Sequence, residues 1–97
     1  MEYKFEWDEK KNIINIKKHG VSFHEAKMIF FDPGCHMIFD KKNSIFEDRW
    51  KATGLSGSII YNVIFTERNG YIRIISARKS DKREEEAYFY GYSKTDS

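Results

Sequence analysis

The sequence lacks the residues and motifs that mark several large classes of protein. It has one cysteine, Cys35, so the chain forms no internal disulfide, which fits a reducing compartment. Its first residues lack the apolar stretch of a signal peptide, and no apolar run is long enough to cross a membrane. It also contains no glycine-rich phosphate loop, no nucleophile elbow and no paired-carboxylate motif. These absences predict a cytoplasmic protein and exclude the enzymes that depend on those motifs.

The chain does carry charge, and its positive charge is concentrated in one segment. Of its 97 residues 33% are charged and 16% are aromatic, and the formal net charge is only +2. Residues 68–83 contain six basic residues and one acid and so carry +5, which leaves −3 for the remaining residues. The length predicts a single domain over residues 1–97. Clustered arginines are typical of phosphate recognition, because the planar guanidinium group pairs bidentately with phosphate oxygens.

Turn and capping residues divide the chain into eight elements. Ser22 and Glu25 form a predicted capping box, and Asp81 and Glu84 form a second one. The Asn-Gly pair at residues 69–70 is the strongest short hairpin signal, because a type I′ turn needs a positive φ at both positions. The order β-α-α-β-β-β-β-α indicates an α+β domain with a small, mainly antiparallel sheet and helices packed on one face. The strands are predicted at residues 3–7, 36–39, 47–55, 58–67 and 71–78, and the helices at residues 9–18, 23–31 and about 82–91.

The two predicted hairpins sort the strand residues onto two faces of the sheet. A two-residue turn at residues 69–70 pairs Thr66 with Arg73, and a second turn at residues 56–57 adds the preceding strand. In this register Arg78 falls on the hydrophobic face, and we expect it to lie past the sheet edge rather than beside a bulge. The hydrophobic face, under the helices, should hold Trp50, Tyr61, Val63, Phe65, Ile72 and Ile74. The open face should hold Arg49, Lys51, Asn62, Thr66, Arg68 and Arg73.

The basic residues of the last hairpin are the candidate binding groups, and their chemistry leaves two interpretations open. They could bind phosphate and stabilise a pentacoordinate transition state, or they could form a solvated face of salt bridges. His19 could act in catalysis, because histidine is the residue type that exchanges a proton near neutral pH. Its position also has a structural explanation, because a cation at a helix C-terminus interacts favourably with the helix dipole. Metal binding is not expected, because the Cys-His pair at residues 35–36 lacks the paired spacing of a zinc site.

Several segments together resemble the BrnT family of toxins from bacterial type II toxin–antitoxin systems. The two specific segments are Lys-His-Gly-Val-Ser-Phe at residues 18–23 and Arg-Ile-Ile-Ser-Ala-Arg-Lys at residues 73–79. The resemblance runs from residue 5 to about residue 90 without an insertion. Two features depart from the family pattern: His24 stands where an acidic residue is expected, and the helix after Arg83 is unusually acidic. The supporting segments are Phe-Glu-Trp-Asp at 5–8 with Lys11 and Asn15, Glu-Ala at 25–26, Phe-Asp-Pro at 31–33, Asp-Arg-Trp at 48–50 and Thr-Glu-Arg at 66–68.

The resemblance implies a compact relative of RelE-type toxins that cleaves RNA without a metal or other cofactor. In the implied mechanism the ribose 2′-OH attacks the adjacent phosphorus and leaves a 2′,3′-cyclic phosphate. Arg68 and Arg73 would hold the phosphate, and Thr66 would orient a phosphate oxygen. Arg78 would neutralise charge in the transition state, and His19 or Lys11 would be the general base. The candidate catalytic residues are Arg68, Arg78, Thr66 and His19, and the candidate RNA-binding residues are Arg73, Arg49, Lys51 and Lys79.

The resemblance also implies a protein partner. A small BrnA-like antitoxin would neutralise the toxin in a complex expected to hold two copies of each chain, and operator DNA would be reached only through the antitoxin. Aromatic residues within 88–92 would suit a hydrophobic contact in such a complex. The alternative function is a binding module, that is, an antitoxin partner and operon co-repressor whose catalysis has weakened or vanished.

Overall fold

The computed structural model describes residues 2–90, which form five strands and three α-helices. Two 3₁₀ segments, Lys27–Phe31 and Lys41–Asn43, follow the second helix and the second strand. The predicted α+β class is confirmed, and the predicted end of the last helix near residue 91 lies outside the described residues. The strands are β1 (Phe5–Glu6), β2 (His36–Phe39), β3 (Trp50–Ser56), β4 (Ile59–Arg68) and β5 (Tyr71–Lys79). The helices are α1 (Glu9–His19), α2 (Phe23–Ala26) and α3 (Lys82–Tyr90).

The strands form one mainly antiparallel sheet in the order β1-β5-β4-β3-β2. Strands β2 to β5 pair with their neighbours in the sequence, and short β1 lies parallel to β5 at one edge. The predicted β4–β5 turn is confirmed: Arg68 pairs with Tyr71, and the two turn residues Asn69 and Gly70 have φ values of +54° and +82°.

The turn between β3 and β4 occupies residues 57–58 and not residues 56–57, so that prediction was wrong by one position. Gly57 supplies the positive φ, +63°, at the first turn position, and Ser56 pairs with Ile59. The correction shifts the β3 register by two residues. Since side chains alternate with a period of two along a strand, every β3 side chain stays on its predicted face.

A β-bulge in β5 decides where Arg78 lies. The pairing of β4 with β5 shifts by one residue between Ile64 and Phe65, and Ile75 is left without a partner. Beyond the bulge the side chains of β5 change faces, so that Arg78 pairs with Asn62 on the open face. The prediction that Arg78 sits past the sheet edge was therefore wrong.

The segment after α1 begins as predicted but ends differently. The predicted capping box is confirmed, because the Ser22 hydroxyl accepts a hydrogen bond from the Glu25 amide at 3.0 Å. In return the Glu25 carboxylate accepts one from the Ser22 amide at 2.9 Å. The predicted helix at residues 23–31 is α-helical only to Ala26 and then tightens into the 3₁₀ segment.

The hydrophobic core lies between one face of the sheet and residues 21–30. Ile29 comes so close to β3 that only glycine fits opposite it: a Cβ placed on Gly54 would lie 2.8 Å from the Ile29 Cβ. The predicted hydrophobic face of the sheet is the face that packs here. The buried core side chains are Val21, Phe23, Ala26, Ile29, Phe30, Ala52, Tyr61, Val63, Phe65, Ile74 and Ala77.

Helix α1 contacts the sheet edge through polar side chains and turns its apolar ones outward. The Asn15 amide nitrogen donates to the carbonyl oxygens of Ala77, at 2.7 Å, and Val21, at 2.9 Å. The Asn15 carbonyl oxygen accepts from the Ala77 amide at 3.1 Å, so this side chain takes the place of a neighbouring strand. The amphipathic pattern is reversed, because the exposed residues include Ile13, Ile14 and Ile16.

Helix α3 packs on the open face of the sheet, opposite α2 and the core. Its capping box is confirmed by bonds between the Asp81 amide and Glu84 carboxylate, at 2.9 Å, and the Glu84 amide and Asp81 carboxylate, at 2.8 Å. The prediction that the helices share one face was wrong for α3, because Glu84 bonds to Arg78 and Lys51 on the open face. Within residues 2–90, every helix is too short or too polar to span a membrane.

Candidate functional site

The open face of the sheet gathers six of the predicted site residues, five cations and Thr66, and we call it the basic face. Thr66 pairs with Arg73 across β4 and β5. Farther along β5, the bulge places Arg78 on the same face, opposite Asn62. Strand β3 and the residue before it contribute from the other side of β4. The five cations therefore lie on one face of the sheet, distributed over β5, β4 and the β3 side. The basic face comprises Arg49, Lys51, Arg68, Arg73 and Arg78.

Every cation of the basic face is paired with a carboxylate. Three acids serve the five cations, which leaves the face with a net charge of +2. Glu6 and Glu47 are each 32% exposed, whereas Glu84 is only 14% exposed. The ion pairs are Arg73–Glu6 at 3.3 Å, Arg49–Glu47 at 3.5 Å, Arg68–Glu47 at 3.0 Å, Lys51–Glu84 at 3.4 Å and Arg78–Glu84 at 2.8 Å.

The pair of Arg78 with Glu84 has the geometry of a strong ion pair. The two terminal nitrogens of Arg78 donate to the two carboxylate oxygens of Glu84, each at 2.8 Å, in a bidentate fork. The hydrogen bonds from Arg78 lower the pKa of Glu84 to about 2, and the same contact raises the pKa of Arg78. Lys51 reaches the same carboxylate at 3.4 Å. Glu84 thus holds the two cations nearest to α3.

Thr66 is held by the loop that precedes β3. Its hydroxyl donates to the carbonyl oxygen of Asp48 at 2.6 Å, and the residue is 3% exposed. The same loop is tied at Ser44, whose hydroxyl accepts from the Arg49 amide at 2.8 Å. These bonds position Glu47 and Arg49 over the end of β4. A contact of Thr66 with phosphate stays a prediction and requires the bond to Asp48 to open.

A groove of about 180 Å³ separates α1 from the unpaired edge of β5, and we call it the α1 groove. His19 and Lys11 both line it beside Ser76, so the two candidate general bases do reach the sheet. Ser76 lies on the same face as Arg78, about 7 Å away along the strand. Lys11 and Lys18 form no ion pair with any residue in 2–90. The α1 groove is lined by Lys11, Ile14, Asn15, Lys18, His19, Ile75 and Ser76.

Lys79 lies apart from the other predicted site residues. It pairs with Tyr61, whose side chain is on the core face, whereas the neighbouring Arg78 is on the basic face. The pKa of Glu25 is lowered first by the Ser22 amide, and the charge of Lys79 adds to that effect from the core side of the sheet. The structure therefore brings Lys79 to α2 and separates it from the basic face.

Sequence reasoning missed the acids that complete the basic face. Glu6 and Glu47 come from segments far from the last hairpin, and nothing local marks them as its partners. Glu84 was recognised only as a helix cap, although the unusual acidity of its helix was a signal. In the described part of the chain, no three His, Cys, Asp or Glu side chains group closely enough to hold a metal ion. The metal-free mechanism stays a prediction.

Comparison with known proteins identifies the family. A comparison with curated proteins found no match to this chain. A family model described as the ribonuclease toxin, BrnT, of type II toxin-antitoxin systems matches residues 7–84, well over half of the 97 residues. The matched range contains the whole basic face and the α1 groove and confirms the resemblance seen in the sequence. Membership of a type II system implies an antitoxin partner. The chain belongs to the BrnT family of ribonuclease toxins.

Proposed function

We propose that this toxin is a metal-independent endoribonuclease of the RelE-like kind, and that it cleaves cytoplasmic RNA and inhibits translation and growth. The observation that carries the proposal is the meeting of the basic face with the α1 groove. Five cations line one surface, and two candidate proton acceptors, His19 and Lys11, line the groove that reaches this surface at Ser76. Cations that bind a phosphodiester next to a proton acceptor are what 2′-OH transesterification requires.

Arg68 and Arg73 are proposed to bind the phosphodiester backbone. Their present partners, Glu47 and Glu6, are each about one-third exposed. Ion pairs exposed to this degree contribute only about 0 to 1 kcal/mol, so an RNA phosphate can replace a carboxylate at little cost. Arginine suits this exchange because its planar group makes the same bidentate contact with both anions.

The chemical step is proposed to take place between Arg78 and the α1 groove. His19, or Lys11 in its neutral form, would accept the 2′-OH proton as the 2′-oxygen bonds to phosphorus. The bond from phosphorus to the 5′-oxygen then breaks, and that oxygen takes a proton from the protonated base or from Lys18. Arg78 would stabilise the negative charge on the phosphorane oxygens, which requires it to exchange Glu84 for the substrate.

The proposal is tested with purified protein, single-stranded RNA and excess EDTA. We expect cleavage with 2′,3′-cyclic phosphate ends, and no cleavage of the same RNA carrying 2′-O-methyl groups. Arg68→Ala, Arg78→Ala and His19→Ala should each lower the rate about a hundredfold, and Lys42→Ala, an exposed lysine outside the site, should not. Expression of the two arginine variants should also relieve growth arrest. Full activity in all three site variants would remove these residues from the mechanism.

The alternative function is an antitoxin-binding module and operon co-repressor with little catalysis. One observation favours a large protein contact: α1 exposes three isoleucines between lysines. If two copies of this chain associated through this face, their lysines would repel one another. An acidic segment of the antitoxin with apolar side chains therefore fits this face better than a second copy does. The exposed aromatic side chains Phe89 and Tyr90 suit a further contact, and Tyr92 lies outside the described residues. We propose a complex with two copies of each chain, which reaches operator DNA through the antitoxin.

A further inference from the structure

Helix α3 packs on the end of the basic face that holds Arg78 and Lys51, and it is attached at both ends. At its start, the capping box and the fork to Arg78 hold Glu84. At its far end, the Tyr88 hydroxyl donates to Asp32 at 2.6 Å, and its ring stacks on His36. A Cβ on Gly34 would lie 2.8 Å from the Tyr88 hydroxyl, so glycine leaves the room for this contact. The helix is a strap between the end of β5 and the loop before β2.

Helix α3 is only partly covered by the rest of the fold. None of the nine residues of α3 is buried. A helix of this length is marginal in water unless packing supports it. Glu86, on the same helix, is exposed and makes no hydrogen bond or ion pair with the rest of residues 2–90. The carboxylate of Glu84 is therefore the main polar link between α3 and the sheet.

The contacts of Glu84 are those that an RNA phosphate would make. A phosphodiester has one negative charge and two non-bridging oxygens, and a carboxylate presents the same charge on two oxygens. The fork from Arg78, with Lys51 beside it, would bind either group in the same way. The carboxylate thus occupies the position where a backbone phosphate would be bound.

We propose that Arg78 and Lys51 form a subsite for one phosphate of single-stranded RNA, and that the chain fills this subsite with its own Glu84. Helix α3 then competes with RNA for the basic face and lowers the activity of the free toxin. This inference rests on the proposed ribonuclease function. It gives the acidic start of α3 a direct effect on substrate binding.

A different role for Glu84 would be general base, and the two roles predict opposite results. A carboxyl group with a pKa of about 2 is a weak proton acceptor at neutral pH. Removal of a base lowers the rate of cleavage and leaves RNA affinity unchanged, whereas removal of a competing anion tightens RNA binding. The RNA affinity of a variant without this carboxylate therefore distinguishes the two roles.

The test compares Glu84→Gln with Glu86→Gln in the full chain. Glutamine also serves at the third position of a capping box, so the first variant removes the charge and keeps the cap. Binding is measured by fluorescence anisotropy with a labelled 2′-O-methyl oligonucleotide, which cannot be cleaved. We expect Glu84→Gln to bind about tenfold more tightly than the wild type, because a like charge has left the phosphate position, and Glu86→Gln to be unchanged.

A second variant loosens the other end of the strap. Tyr88→Phe removes the hydrogen bond to Asp32 and should tighten RNA binding about threefold without touching the subsite. Equal affinities for Glu84→Gln and Glu86→Gln would overturn the proposal, and so would lost cleavage at unchanged affinity in Glu84→Gln. If Glu84→Gln binds more tightly but no variant cleaves RNA, the subsite stands and the ribonuclease mechanism falls.

Discussion

Asn15 connects α1 to the sheet through a side-chain amide that both donates and accepts hydrogen bonds. Its amide group satisfies both the N–H and the C=O of Ala77 on the unpaired edge of β5. Asn15→Ala would leave both groups buried and unsatisfied, each at a cost of about 1 to 3 kcal/mol. We expect a loss of about 3 kcal/mol in the free energy of unfolding, measured by urea denaturation.

The matched control for that prediction is Asn43→Ala. Asn43 is exposed, and its amide group makes one hydrogen bond, to Asp40. This substitution should change stability by less than about 1 kcal/mol. Equal losses in the two variants would show that Asn15 does not hold the edge of the sheet.

At the scale of single residues, the sequence predicts the features that depend only on residues nearby in the chain. The Ser22–Glu25 and Asp81–Glu84 boxes were found because each involves residues three positions apart. The face of Arg78 was missed because it depends on a bulge at Ile75, which is not marked by glycine and lies beside the contact of α1 with β5. Alternation along a strand cannot reveal one extra residue that long-range packing imposes.

At the scale of elements, the reversed pattern of α1 leads to a prediction about the antitoxin. Lys10 and Lys17 are exposed residues of α1, and unlike Lys11 and Lys18 they do not line the α1 groove. The double variant Lys10→Glu and Lys17→Glu should weaken antitoxin binding at least tenfold, because an acidic partner would then face acids. Affinity is measured by titration calorimetry with the cognate antitoxin.

Two further measurements make that result specific to α1. Lys42→Glu changes an exposed lysine on another element and should leave antitoxin affinity unchanged. RNA cleavage by the double variant should also stay at the wild-type rate, since neither lysine belongs to the proposed site. Unchanged antitoxin affinity in the double variant would place the antitoxin on another surface.

Elements also differ in how well the sequence predicts them. The hairpins were predicted because their turns contain glycine at positions of positive φ, and an error of two residues in the β3 register left the faces unchanged. The side of the sheet that α3 covers was not predictable from its own pattern. That side is fixed by the bond of Glu84 to Lys51 and by the bond of Tyr88 to Asp32, and both partners lie far from α3 in the sequence.

At the scale of the whole molecule, the small net charge leads to a prediction about salt. A formal charge of +2 over 97 residues gives little long-range attraction, so RNA affinity must come from a few local phosphate contacts. For single strands, the logarithm of the association constant falls by about 0.7 per tenfold rise in salt for each contact. Arg73→Gln should make that slope less steep by the equivalent of about one contact. Glu84→Gln, which frees a subsite, should make it steeper by the same amount. A slope that stays the same in both variants would mean that RNA binds away from the basic face.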